Sequence, residues 1–503
     1  MTPTEIQRAF VLIVVMAGGA MALLDIAVVN VALPSIMVAV GANVVEVRWV
    51  VTAFMLCSAL VMPLTGWMGR RIGYGNLYIV SLAIFTAGSA LCAVSWDLNS
   101  LVLARIVQGI GAGTLQATGM ALITHTFPAH LRGRAIGIWG ISLTIGPALG
   151  PATGGWLIEE YSWRAVFMIN VPIGIAAILF SLAVLDRGRD ADPPKFDWLG
   201  YLAIVAFMSS LLLTLDQGNE LGWKSDIIRF GLFFTVLSLV VTVLVEWKYA
   251  DALVPLRLFR IRDFTMSMLV SLIRSAGMFA SFFLQPLFLQ QVQRRDPINT
   301  GLILMPAALS FGVGMPIAGW LTDRFGGRWP TVVGAMLAAI SYWLYFDLDY
   351  RTDAFGIIFP QMIRGIGMAL IMSPAMTVGL NAVSYEDVGH ASWMLNIGQR
   401  FGGSMTVAVL ANLLHVGSMV EQDRLGTISA LQNSPSPTLE QWAIGLGHAP
   451  QTIDTVMRSV YQWDVSQAAT IISYENIFVG VGLTLLLVIP PALFMSSRRP
   501  ARD

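Results

Sequence analysis

Asp25 stands in the middle of a long apolar run, with no other charged residue between Arg8 and Glu46. A charged Asp at the centre of a bilayer costs about 2.5–3.5 kcal/mol on insertion scales, so such residues mark ion or proton paths. Burial favours the neutral acid, and a nearby cation favours the carboxylate. A group balanced between the two can load and release a proton. Four arginines also fall inside apolar runs: Arg105, Arg274, Arg364 and Arg400. Gln108 lies one turn beyond Arg105 and can extend a polar network. Arg274, in SLIRSAGMFASFF, suits either an anionic substrate or an acid such as Glu475, which precedes the last apolar run and is a candidate second proton site. Twenty-five methionines and many aromatic residues supply soft surface for apolar ligands. Gln116, Trp139, Phe283, Trp393 and Asn396 are the cavity candidates beside Arg274.

Other chemistries have no residues to carry them. No G-x-x-x-x-G-K-[ST] loop is present, so ATP is not hydrolysed by this chain. GIGAG at Gly109–Gly113 lies within an apolar run and not after a strand, which removes a dinucleotide site. Cys57 and Cys92 are too few for a zinc site or a disulfide framework. No metal, no cofactor and no enzymatic activity are expected.

The elements that must position these residues are membrane helices. Of the 503 residues, 56% are hydrophobic and only 12% charged, about half the charge of a soluble protein. Thirty basic and thirty acidic residues cancel, and no basic stripe points to nucleic acid. About 20 apolar residues span the hydrocarbon core, and fourteen such stretches are expected. They lie near 10–33, 47–69, 76–95, 100–123, 135–157, 165–185, 197–216, 227–247, 264–290, 299–321, 330–346, 355–379, 389–413 and 474–496. One connection is long, at 414–470, and its Trp442, Tyr461 and Trp463 make it a candidate docking surface. With both termini cytoplasmic, the inner segments carry seventeen Lys and Arg and the outer ones nine, as the positive-inside rule asks.

The chain also repeats itself. GWMGRRIGYG (Gly66–Gly75) and GWLTDRFGGR (Gly319–Arg328) are offset by 253 residues, and QGIG (Gln108–Gly111) and RGIG (Arg364–Gly367) by 256. Two homologous six-helix bundles follow, residues 1–190 and 260–503, with two inserted helices in 191–259. Parallel repeats with a site between them are a transporter plan. In the GW loops, Gly66, Arg70, Arg71 and Gly73 match Gly319, Asp323, Arg324 and Gly326, with Arg328 following. The arginines can bind helix ends, and Asp323 can cap the next helix start. Gly146, Gly150 and Gly154 recur every fourth residue, so one helix face admits a close neighbour. Pro147 and Pro151 permit a kink there, and Gly155 adds to the small-residue cluster.

These motifs resemble the major facilitator superfamily, and specifically its fourteen-helix drug:proton antiporter branch of EmrB-like multidrug exporters. LDIAVVNVALP (Leu24–Pro34) is similar to the branch's first-helix signature. RIVQGIGAG (Arg105–Gly113) is similar to its fourth-helix motif, and GPALGPATGGW (Gly146–Trp156) to its fifth-helix antiporter motif. WRAVFMINVPIG (Trp163–Gly174), LDQGNELGW (Leu215–Trp223) and IISYENIF (Ile471–Phe478) extend the match. The first GW loop departs from the pattern, with Arg70 after Gly69 where an acid is usual. The resemblance implies an all-α, fourteen-helix inner-membrane protein that moves lipophilic drugs outward in exchange for protons. It brings the first and fourth helices together, hence an Asp25–Arg105 pair, and implies that the GW loops latch the inward-closed state. It also implies a periplasmic adaptor (a membrane fusion protein) and an outer-membrane channel as partners. A dedicated exporter of an anionic metabolite, fatty acid or siderophore, or a non-transporting scaffold, would share much of this sequence.

Overall fold

The computed structural model describes residues 5–188, 195–249, 252–346, 348–432 and 450–497. The first bundle comprises α1 (Glu5–Val40), α2 (Val44–Val61), α3 (Tyr74–Ala93), α4 (Leu98–Thr126), α5 (Arg132–Glu160) and α6 (Ala165–Val184). The inserted hairpin is α7 (Trp198–Leu221) and α8 (Asp226–Lys248). The second bundle comprises α9 (Arg262–Leu287), α10 (Pro297–Phe325), α11 (Arg328–Trp343), α12 (Ala354–Asn381), α13 (Val388–Gln432) and α14 (Pro450–Leu486). Thirteen helical segments of the described residues are long and apolar enough to span a membrane. The fourteenth expected span is α11, a regular helix of 16 residues.

Local chemistry sets the helix ends. Asp97, Asp197, Asp296 and Asp353 each accept a hydrogen bond from the backbone N–H three residues on, satisfying a donor that the helix itself cannot. Both GW segments are helical, and the turn comes after them, at Gly73 (φ 89°) and Gly326 (φ 76°). Only glycine adopts such a backbone without a steric penalty.

One expectation is overturned. The stretch at 414–470 is not a long loop: α13 continues to Gln432 and α14 begins at Pro450. Its described polar residues, up to Gln432 and from Pro450 onward, lie along helices that outrun the apolar spans. Trp442 lies outside the described residues, and so do the side chains of Tyr461 and Trp463.

Within each bundle, α1 packs on α5, α3 on α4 and α2 on α4, then α11 on α12, α9 on α13 and α13 on α14. The halves meet where α5 lies against α10 and α4 against α13. The hairpin leans on α13 and α2 through α7, while α8 exposes Phe230, Phe233, Val236, Val240 and Leu244. That apolar face suits lipid, and it shows why α8 reads as continuous hydrophobic sequence.

The apolar cores are distributed unevenly along the bundle axis. One core mixes both halves at the end that carries the GW loops, joining Val15, Met120, Ile136, Met315, Met376 and Trp393. Away from it the halves keep separate cores, one around Phe288, Tyr345 and Phe478, the other around Val28, Val50 and Phe167. The two halves are thus sealed together at the loop end.

Candidate functional site

Asp25 and Arg105 are both about 1% exposed. Arg105 Nη1 donates to Asp25 Oδ2 at 2.6 Å and to Gln108 Oε1 at 2.6 Å, and its Nε donates to the Val50 carbonyl at 3.0 Å. Gln108 Nε2 donates to Asp25 Oδ1 at 2.8 Å, and Asn170 Nδ2 donates to the same oxygen at 2.9 Å. Both amides also reach Ser89 Oγ. The guanidinium carbon sits 4.0 Å from the Phe54 ring centroid and 5.7 Å from that of Phe167. Five helices, α1, α2, α3, α4 and α6, are therefore tied through one carboxylate and one guanidinium.

The hydrogen bonds fix what a proton on this carboxylate would change. While Asp25 is ionised, its two oxygens accept three hydrogen bonds. A proton on either oxygen would turn an acceptor into a donor facing other donors. The network would lose at least one bond, and the five helices would lose a shared tie. Charge-assisted bonds of this kind are about twice as strong as neutral ones.

The glycine stripe of α5 packs against the helix that carries Asp25. A Cβ on Gly146 would meet the Leu23 carbonyl oxygen at 2.5 Å, one on Gly150 would run into Ala27, and one on Gly154 would meet Val28 at 3.2 Å. Gly155 faces open space and takes no part in this contact. The α5 helix runs unbroken through Pro147 and Pro151. The Pro147 side chain is outside the described set.

The sequence places Asp323 over the helix that follows it. The structure places it instead on the start of α5, in the other half. Its carboxylate accepts from Gly133 N at 2.8 Å and Arg134 N at 2.9 Å. Leu131, the residue before α5, makes no side-chain cap, so Asp323 caps this helix in trans. Gly319 and Gly133 are backbone to backbone at the same point. Gly66 faces His390 in the pseudo-equivalent place. Arg71 stacks on Trp67 and Arg324 on Trp320, while Arg328 Nε donates to the Met495 carbonyl at 3.2 Å.

The expected substrate residues lie in several different surroundings. Arg274 is fully buried, but its guanidinium donates to Gln399 Oε1 at 2.6 Å and contacts the Met278 sulfur at 3.4 Å. Its partner is an amide and not Glu475, which lies well inside α14. Arg400 reaches across the halves, donating to Ser58 Oγ at 2.7 Å and Gln116 Oε1 at 3.2 Å. Trp139 and Trp393 are buried in the shared core, whereas Phe283 packs on the core of the second half. Asn396 bonds the Ser392 carbonyl on its own helix. A cavity of about 680 Å³ between α9, α13 and α14 is walled by Met405, Val409, Leu413 and Ile477, and none of the six candidates lines it.

Asn170 and Ser89 belong to the network although the sequence does not single them out. Asn170 lies within WRAVFMINVPIG, and an amide in so apolar a run was the available signal.

Residues 15–407 match the Major Facilitator Superfamily domain. The chain is a member of the Major Facilitator Superfamily. It is 31% identical to the Multidrug export protein EmrB of Escherichia coli K12 over 399 residues, 78% of this chain and 77% of that protein. It is 31% identical to a Multidrug resistance protein B homolog of Mycobacterium tuberculosis over 398 residues, 78% and 74% of the two chains. Among solved structures, the proton:xylose symporter XylE superposes with a TM-score of 0.60 at 12% identity over 97% of both chains. That likeness speaks for the fold alone. As a Major Facilitator Superfamily protein, the chain is a multi-pass membrane transporter and not an enzyme.

Proposed function

We propose that this protein is a proton-driven exporter of lipophilic compounds, a drug/H⁺ antiporter working by alternating access. Its place would be the bacterial inner membrane, with both termini cytoplasmic. The observation that carries the reading is the buried Asp25–Arg105 pair and its three amide and hydroxyl partners. A transporter with no use for a proton has little reason to keep an ionisable pair at this depth. With the GW loops cytoplasmic, the shared core at their end makes this the inward-closed state. Proton binding at Asp25 loosens the first bundle, and the Gly146–Gly154 seam, which lies against Leu23, Ala27 and Val28, passes that change to α5. Because α5 carries the helix start that Asp323 caps, the same movement reaches the latch between halves.

The energy is adequate. One proton crossing about 150 mV releases about 3.5 kcal/mol, which sustains a gradient of about 300-fold for a neutral substrate. The similarity to EmrB and to a multidrug resistance homolog supports export and drug substrates, and a periplasmic adaptor with an outer-membrane channel as partners.

The test is reconstitution in liposomes with an imposed pH gradient. Wild-type protein should move a lipophilic fluorescent drug against its gradient, and Asp25→Asn should not, while remaining folded. Coupled transport by Asp25→Asn would sink the assignment.

A second reading, export of anionic compounds, has its own observation. Arg274 and Arg400 are bonded only to neutral groups among the described residues. An anionic dye that is transported by wild type and lost with Arg274→Gln, while an uncharged dye still moves, would favour it.

A further inference from the structure

The inserted hairpin carries a second pair of buried ionisable groups. Asp197 opens α7 and Glu246 lies near the end of α8, and they are 0% and 3% exposed. Each carboxylate is anchored by one oxygen only. Asp197 Oδ1 accepts from Gly200 N at 2.8 Å, and Glu246 Oε2 accepts from Val254 N at 2.9 Å. The other two oxygens, Asp197 Oδ2 and Glu246 Oε1, have no hydrogen-bond partner. Both point at one place, because a Cβ added to Gly200 would collide with each of them.

Among the described residues, no cation forms an ion pair with either carboxylate. Lys248 and Lys195 are exposed. Arg257 is engaged with Asp387 at 2.8 Å, and His390 Nδ1 is bonded to the Leu253 carbonyl at 3.0 Å. Tyr201 on α7 lies near Cys57 of α2, and the GW segment reaches this corner through Trp67 on Phe196, with Arg71 engaged on the Trp67 ring. Two ionised carboxylates facing one another without a cation repel, and one proton turns that repulsion into an O–H···O bond.

We propose that Asp197 and Glu246 hold one proton between Oδ2 and Oε1, a proton site separate from Asp25. The site is wired to the closed end of the bundle. Glu246 holds Val254, the neighbouring Leu253 carbonyl holds His390, and Arg257 holds Asp387. His390 is in the first turn of α13, directly against Gly66 of the other half. Loss of the shared proton to the cytoplasm leaves two like charges in a dry pocket. They separate, the 252–260 strap shifts, and its grip on the start of α13 weakens. The pair thus reports cytoplasmic pH to the latch between halves. The assignment of the two oxygens rests on geometry alone; only the word cytoplasmic depends on the proposed topology.

Infrared spectroscopy of the whole protein in lipid tests this directly. In an Asp25→Asn background the carbonyl stretch of a protonated carboxyl should be present at neutral pH and titrate away on alkalinisation. Glu246→Gln and Asp197→Asn, each added to that background, should both remove it. Absence of the band at neutral pH, or its survival in either variant, overturns the shared site. A second measurement needs only wild-type protein. Amide hydrogen exchange at 253–260 and 388–394, corrected for intrinsic rate, should accelerate at least several-fold as the pair ionises. Protection that stays flat with pH overturns the link to the latch. In Glu246→Gln, whose amide can donate to Asp197, protection should persist at alkaline pH. Because both readouts follow protonation and exchange, they stand or fall independently of whether drug export is the transported reaction.

Discussion

The two halves bury their polar residues at matching places and use them differently. In the first half Arg105 and Gln108 share a helix turn with Asp25 as their acceptor. In the second, 256 residues on, Gln361 and Arg364 stand in reversed order on α12. Arg364 Nη2 donates to the neutral Gln285 Oε1 at 3.1 Å, and Gln285 Nε2 donates to Tyr345 Oη at 3.0 Å. Tyr342 donates to the Gly277 carbonyl at 2.5 Å. Among the described residues, no acid joins this second network. Each half has a buried guanidinium on its fourth helix, but among the described residues only that of the first half is paired with a carboxylate. The proposed proton site therefore falls in the first half, and the second half offers a neutral network in the matching place. The latches diverge in the same way. Asp323 caps the start of α5, whereas the residue in its place in the first half is Arg70, near the start of α13. An arginine cannot cap a helix N-terminus; at that seam Gly66 lies against His390, and the strap holds His390 and Asp387.

The comparison breaks most sharply at the two arginines. Arg105→Gln strands the Asp25 carboxylate in the interior, a loss of about 3–5 kcal/mol. It should abolish gradient-driven transport and lower the melting temperature in detergent. Arg364→Gln loses one charge-assisted bond but also removes a buried cation with no acid, so the net change should be about 1 kcal/mol or less. Transport by Arg364→Gln should persist. Equal damage from both substitutions would show that the halves are functionally equivalent after all.

A smaller effect is expected at the latch. Asp323→Ala removes two backbone acceptor contacts at a helix start, about 0.5–2 kcal/mol, or an about 2- to 30-fold shift away from the inward-closed state. Thiol labelling of single cysteines on the cytoplasmic faces of α5 and α10 reads that shift. The corresponding change in the first half, Arg70→Ala, deletes no cap and should move labelling less. The α5 glycines give the finest contrast. Gly150→Val drives a side chain into Ala27 and should cost about 1–3 kcal/mol. Gly155→Ala points into open space and should stay within about 0.5 kcal/mol of wild type.

The Asp25–Arg105–Gln108 core was legible because charges in apolar runs are rare and Gln108 follows Arg105 by one turn. Asn170 offered only the weak signal of an amide in an apolar run, and Ser89 offered none, because small neutral polar residues are common in membrane helices and gain meaning only when a neighbouring helix is placed beside them. The trans contact of Asp323 was hidden for another reason. Its partners, Gly133 and Arg134, are backbone groups some 190 residues earlier in the chain, and backbone donors have no sequence signature. Charge logic offered Arg274 an anionic substrate or an acid; the structure gives it the neutral Gln399 Oε1 and leaves its Nε without a partner, which the residue type alone could not show. Hydropathy failed at 414–470 because helices that extend past the apolar span are written in polar residues, which read as loop.

The glycines that end the GW segments also govern the order in which the molecule can be completed. A Cβ on Gly73 would run into the Gly188 carbonyl, and one on Gly326 would meet Ser497 at 2.8 Å. In each half the chain leaving the last helix is pressed against the turn between the second and third. The contact that closes the first bundle thus lies wholly within residues 73–188, before the inserted hairpin and the second bundle in the chain. The matching contact of the second bundle needs Ser497, which is synthesised more than 300 residues later, so the two halves differ in how early their closing contact can form.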